Sequence, residues 1–232
     1  MVPLKNLSPR LTFPAMTVLL IIANVLVYIY QVSLPDRAAE AFINLYGMVP
    51  ARVSMALAGQ HHVTFGQAFV PLFTSMFLHG GVLHILGNMW FLWIFGGQVE
   101  DRLGHFTYLV FYLICGLGSG IAQLAFSWGS KTPAIGASGA IAGVLGAYIV
   151  FFPSSRILTL VPLFIIWFTA QIPALVFIGL WFVVQFLSGI NSVGAASMGG
   201  VAWWAHVGGF LLGVLIAQLY RARPRPAARY VY

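Results

Sequence analysis

Charge is scarce in this chain. Of its 232 residues, 6% are charged and only four are acidic: Asp36, Glu40, Glu100 and Asp101. Soluble domains carry about 25% charged residues, so a soluble globular protein is excluded. Cysteine occurs once, as Cys115 in an apolar run, which excludes an intramolecular disulfide. There is no His-Glu-x-x-His and no acid or thiolate cluster, so no metal and no other cofactor are expected. The net charge of +7 is not arranged as a basic patch interleaved with aromatics, so nucleic acid is not the expected partner. No inverted repeat and no midplane carboxylate point to transport.

Long apolar runs take the place of charge. The chain is 60% hydrophobic, its mean hydropathy is +0.94, and several runs reach the roughly 18 residues of a membrane span. The pattern predicts an all-α polytopic membrane protein with a six-helix bundle. The helices are expected near 14–32, 68–99, 106–128, 138–152, 173–187 and 202–220, the second with an irregular start at Gly80-Gly81. Residues 33–66 form a long, partly apolar outer loop, expected to hold short interfacial helices. Segment 156–171 is interrupted by Pro162 and closed by Pro173; it can be an interfacial hairpin or a seventh, partial span, and the hairpin is favoured because too few residues remain to cross about 30 Å.

The domain plan is therefore a segment 1–13, a membrane domain 14–220 and a basic tail 221–232. Lys5 and Arg10 precede a first helix read as retained, not as a cleaved signal. With six helices, Lys5, Arg10, Arg102, Arg156 and the arginines of the tail share one side, against Arg37, Arg52 and Lys131 on the other. This asymmetry predicts both ends in the cytoplasm. The apolar runs make the lipid bilayer the expected partner, and the compact form without large extensions points to a bacterial inner membrane.

Polar side chains inside such a chain are candidates for function. Ser138 opens the fourth helix in Gly136-Ala137-Ser138-Gly139, and His206 lies in the sixth. The fourth helix spans only about 22 Å, so Ser138 is expected below the outer interface, in a water-filled cavity open to the extracytoplasmic side. Both helices run the same way, and Gly139-xxx-Gly143 and Gly209-xxx-Gly213 permit close approach. A serine and an imidazole brought together make a nucleophile and its base.

His84 and Asn88, at i and i+4, share a face and can donate to an oxyanion together with the Ser138 N–H. His79 lies nearly 140° from His84 on an ideal helix, and is expected to hold a water or shape the cavity rim. No carboxylate is placed to complete a triad, so a Ser-His dyad is expected, with a ring such as Tyr148 the weak candidate for orienting the imidazole. His61, His62 and His105 read as polar loop or interface residues.

These motifs together resemble the rhomboid family of intramembrane serine proteases, of bacterial type. The resemblance rests on Gly136-Ala137-Ser138-Gly139, His79-xxxx-His84-xxx-Asn88, Ala205-His206-xx-Gly209-xxx-Gly213 and Gly96-Gly97-Gln98-Val99-Glu100-Asp101-Arg102-Leu103-Gly104, and runs from about Pro71 to Gln218. The Trp-Arg pair frequent in the family's first loop is missing. The resemblance implies a serine endopeptidase that cuts transmembrane or juxtamembrane segments of other membrane proteins. It casts Ser138 as nucleophile, His206 as base then acid, and Phe177 and Trp181 of the fifth helix as a lateral gate. Substrates need a helix-destabilised segment, because a helical peptide bond is shielded until the helix unwinds. Two rivals are a client-binding relative without catalysis, which would lack Ser138 or His206, and a proton relay.

Overall fold

The structure is a computed structural model that describes residues 1–60, 63–163, 165–192 and 201–221. In chain order its elements are β1 (Val2–Asn6), α1 (Ala15–Ser33), α2 (Asp36–Tyr46), α3 (Pro50–Leu57), α4 (Phe65–Phe69), α5 (Pro71–Thr74), a 3-10 turn (Ser75–Phe77), α6 (Val82–Leu103), α7 (His105–Phe126), α8 (Ser138–Phe151), β2 (Arg156–Leu163), β3 (Ile166–Pro173), α9 (Ala174–Ser192) and α10 (Trp203–Arg221). Five of these, α1, α6, α7, α9 and α10, are long and apolar enough to cross a membrane. The protein is thus a mostly helical, polytopic integral membrane protein. His61, His62 and most of the basic tail lie outside the described residues.

Helix α8 is the exception in length. Its 14 residues rise about 21 Å, short of a hydrocarbon core about 30 Å thick. It is also the most enclosed: every residue from Gly139 to Tyr148 is buried. A central helix walled by protein need not reach both interfaces, because its neighbours satisfy the backbone beyond its ends.

Small residues make that enclosure possible. A Cβ placed on Gly209 would collide with the Gly139 carbonyl, and one on Gly213 with the backbone of Gly143. Gly139 and Gly143 also have no room on their other side, against Ser119 and Cys115 of α7. Gly139 facing Gly209 and Gly143 facing Gly213 also show that α8 and α10 run parallel, so their first turns lie at one end.

The expected helix over 68–99 is broken. The chain passes through α4, α5 and a 3-10 turn, is extended at Leu78, and resumes as α6 only after Gly80-Gly81, continuing to Leu103. Thr64 and Gln67 form a capping box that starts α4, and prolines open α3 and α5. Gly104, with φ of +81°, is at once the last cap of α6 and the first of α7, a left-handed turn that glycine makes without strain.

Segment 156–171 is a hairpin, and it is made of strands. β2 and β3 pair antiparallel, with Arg156 opposite Pro173 and Leu163 opposite Ile166. Segment 1–13 supplies a third strand. β1 lies antiparallel to β2, with Val2 opposite Leu160 and Asn6 opposite Ile157, and a register shift between Pro3 and Lys5. The helical bundle therefore carries a small sheet where α8 ends and α9 begins. In the outer loop, α2 lays Phe42 against Tyr30 of α1, with ring centroids 5.4 Å apart.

Candidate active site

The first turns of α8 and α10 bring Ser138 and His206 together. Ser138 Oγ lies 2.7 Å from His206 Nε2, a hydrogen bond between helices whose close approach the glycine seam permits. The loop that delivers Ser138 is pinned on both sides. Met48 and Ala134 exchange backbone hydrogen bonds, and Gly136 N–H donates to the Ser75 carbonyl at 2.9 Å. Gly136 has φ of +128°, and a Cβ there would sit 2.8 Å from His84 Nε2, so this position takes only glycine.

His206 is buried, and its other nitrogen is also engaged: Nδ1 lies 2.6 Å from Gln185 Oε1 on α9. An oxygen acceptor there places the proton on Nδ1 and leaves the Nε2 lone pair facing the serine. Trp181 and Trp203 flank the ring, at centroid distances of 5.9 and 6.2 Å. Tyr148 does not orient it. The Tyr148 hydroxyl bonds Asn6, Ser155 and Ser8 at the sheet end of α8.

No carboxylate accompanies the pair. Glu100 accepts from the Met16 and Thr17 amides and the Thr17 hydroxyl, each at 2.7–2.8 Å, and contacts His105 Nδ1 at 2.5 Å. Asp101 accepts from the Leu11 and Thr12 amides and the Thr12 hydroxyl. Asp36 and Glu40 are exposed on α2.

Donors gather beside Ser138. Gly80 N–H donates to His84 Nδ1 at 3.2 Å, so the neutral ring carries its proton on Nε2, the atom nearest Gly136. Asn88 is buried, and its Nδ2 has no partner among the described residues. Ser138 opens α8, so its N–H has no intrahelical acceptor, and no side chain among the described residues caps the helix. A cavity of about 30 Å³, bounded by Ser75, Ser119, Gln123, Gly136, Ser138 and Ala205, adjoins Ser138 and has room for water.

His79, expected to hold a water or shape the cavity rim, lies next to His84. It is fully buried, its ring 5.1 Å from His84, and neither ring nitrogen has a partner among the described residues. Its backbone is clamped by the Gln31 amide, which donates to the His79 carbonyl at 2.7 Å and accepts from its N–H at 3.3 Å. The helix break at 78–81 resets the phase between the two histidines, so an ideal-helix angle does not apply. Phe177 and Trp181 share a face of α9, Phe177 against Phe91 at 6.4 Å and Trp181 against His206. Gln185 continues that face one turn further on. The sequence offered one sign of it: an amide in the apolar middle of the helix, four positions after Trp181.

Known proteins resemble this chain. The Rhomboid domain matches residues 66–223. The chain is similar to RHOMBOID-like protein 4 of Arabidopsis thaliana, 27% identical over 93% of this chain and 55% of the relative. It is also similar to Rhomboid protein 1, mitochondrial, of Saccharomyces cerevisiae, 33% identical over 63% of this chain and 40% of the relative. With Rhomboid protease GluP of Bacillus subtilis it shares 40% identity over 37% of this chain and 16% of the relative. It thus spans about half, or less, of the length of these relatives. Domain match, residue pairing and fold lead to one conclusion: the chain belongs to the rhomboid family.

Proposed function

We propose that this protein is an intramembrane serine endopeptidase that cleaves transmembrane or juxtamembrane segments of other membrane proteins. The observation that carries the reading is the 2.7 Å contact between Ser138 Oγ and His206 Nε2 in a chain of this family. It is supported by the name of one relative, a rhomboid protease.

The steps follow from the atoms present. His206 Nε2 takes the Ser138 proton as Oγ bonds the scissile carbonyl carbon, and the carbonyl oxygen becomes an oxyanion. The Ser138 N–H, His84 Nε2–H and the unpartnered Asn88 Nδ2 donate to that oxygen, each such donor contributing about 10²–10³ in rate. As the C–N bond breaks, His206 Nε2–H protonates the amine. A water then attacks the acyl ester, passes its proton to Nε2, and Ser138 leaves with that proton restored. No metal or other cofactor takes part.

Substrates reach Ser138 between α9 and α6, where Phe177 and Trp181 form the gate. A segment rich in weak helix formers is preferred, because the bond must leave its helical hydrogen bonds before attack. The chain's ends lie in the cytoplasm and the site opens to the opposite face.

The test is cleavage of a membrane-protein substrate in liposomes by the wild type, Ser138→Ala and His206→Ala. Both variants are expected to lose turnover. Equal activity in all three would remove this mechanism.

A further inference from the structure

Helix α9 does more than wall the cavity. Phe177, Trp181 and Gln185 recur every fourth position, so they share one face. Phe177 packs on Phe91 of α6, Trp181 lies against the His206 ring, and Gln185 Oε1 faces His206 Nδ1 at 2.6 Å. Gln185 is buried in a helix of otherwise mainly apolar residues. A buried amide at such a place is costly unless bonded, and its recorded partner is the imidazole.

We infer that Gln185 is the positioning residue of this site: its amide oxygen fixes the tautomer of His206 and ties the base to the seating of α9. The inference rests on the Ser138–His206 reading above and deepens it.

A neutral imidazole has one N–H. If that proton sits on Nε2, the ring donates to Ser138 and cannot take the serine's proton. Gln185 Oε1 is an acceptor only, so it holds the proton on Nδ1 and keeps Nε2 free as base. The Nδ1 proton stays in place throughout the cycle while the Nε2 proton alone moves, and the imidazolium still donates to Oε1. Trp181 and Trp203 limit the tilt of the ring, but indoles accept no such bond, so they cannot select the tautomer. An amide also suits the depth, since a buried carboxylate would bring a far larger desolvation penalty.

A mechanical consequence follows from the shared face. Moving α9 outward to admit a substrate parts Phe177 from Phe91 and draws Oε1 from Nδ1 in one displacement. His206 becomes a competent base only when α9 is reseated, so entry and chemistry alternate.

The experiment measures kcat and KM for a transmembrane peptide in proteoliposomes, with Tm, for the wild type, Gln185→Met, Gln185→Glu and Ser138→Ala. Methionine keeps the length and removes the acceptor; glutamate restores it. Gln185→Met is expected to lose about 10²-fold in kcat, the lower end of what a positioned base contributes, with KM held within about twofold. Gln185→Glu is expected to recover most of that loss. Wild-type kcat in Gln185→Met, a loss confined to KM, or a Gln185→Glu no better than Gln185→Met would overturn the inference and leave the serine mechanism standing. Ser138→Ala as active as wild type would overturn both. ¹⁵N-histidine NMR of the wild type decides the matter even if Gln185→Met does not fold: a protonated Nδ1 on His206 is expected, and an unprotonated one refutes it.

Discussion

Gly143 and Gly213 meet backbone to backbone, with no space between α8 and α10 for even a methyl group. The same seam sets the distance between Ser138 and His206, because both lie in the first turns of these helices. Gly213→Ala must push the helices apart. Overpacking of this kind costs about 1–3 kcal/mol, and the added separation also lengthens the serine–imidazole contact. A lower Tm in detergent together with reduced cleavage is expected. An unchanged Tm would mean that the seam adapts without strain.

Asn88→Ala separates catalysis from stability. Asn88 Nδ2 makes no hydrogen bond among the described residues, so its removal forfeits none there and relieves a buried polar group. Stability is expected to hold or rise slightly while kcat falls about 10²–10³-fold, the effect of losing one oxyanion donor. Parallel melting curves and turnover numbers check this. Wild-type turnover would take Asn88 out of the site.

Glu100→Ala is expected to do the reverse. The carboxylate is fully buried and accepts from two amides at the start of α1 and from the Thr17 hydroxyl, beside His105. Stranding those donors costs about 1–3 kcal/mol for each one left buried and unsatisfied. Molecules that remain folded should cleave normally, because Glu100 lies at the opposite end of α6 from His84. A loss of turnover above about 10³-fold without a fall in Tm would contradict a mechanism that uses no acid.

The β2–β3 hairpin ends in Leu163, Ile165, Ile166, Trp167 and Phe168, all exposed, with Ile165 at 95%. Apolar side chains on both faces of a tip suit an interfacial environment, not water. A variant keeping Trp167 as its sole tryptophan should be quenched by lipids brominated in the acyl chain. Fluorescence quenched instead by aqueous iodide would place the hairpin in solvent.

Much of the site could be read from residue order. The parity of the helices, the short fourth helix and the two glycine pairs together brought Ser138 to His206, since each is a local property with a long-range consequence. The lack of a carboxylate partner was equally legible, because the chain has only four acids to place. Gln185 was not. An amide in the apolar middle of a helix has no direction until the rotation of α9 is fixed by Phe177 on Phe91 and Trp181 on His206. Tyr148, a weak candidate by its depth, bonds Asn6 instead, a partner far off in sequence. β1 was invisible for the same reason: nothing in Val2–Asn6 points to Leu160. His79 lies beside His84 because the chain breaks at 78–81, the irregularity that Gly80-Gly81 announces in the sequence.

The sheet imposes an order on synthesis. Val2–Asn6 can find its partner strand only after Ile157–Leu160 has left the ribosome, which at about 5–20 residues per second is on the order of ten seconds or more later. Until then the leading residues must wait on the side where the hairpin will emerge. A bulky passenger attached ahead of Val2 would burden that pairing without touching the serine.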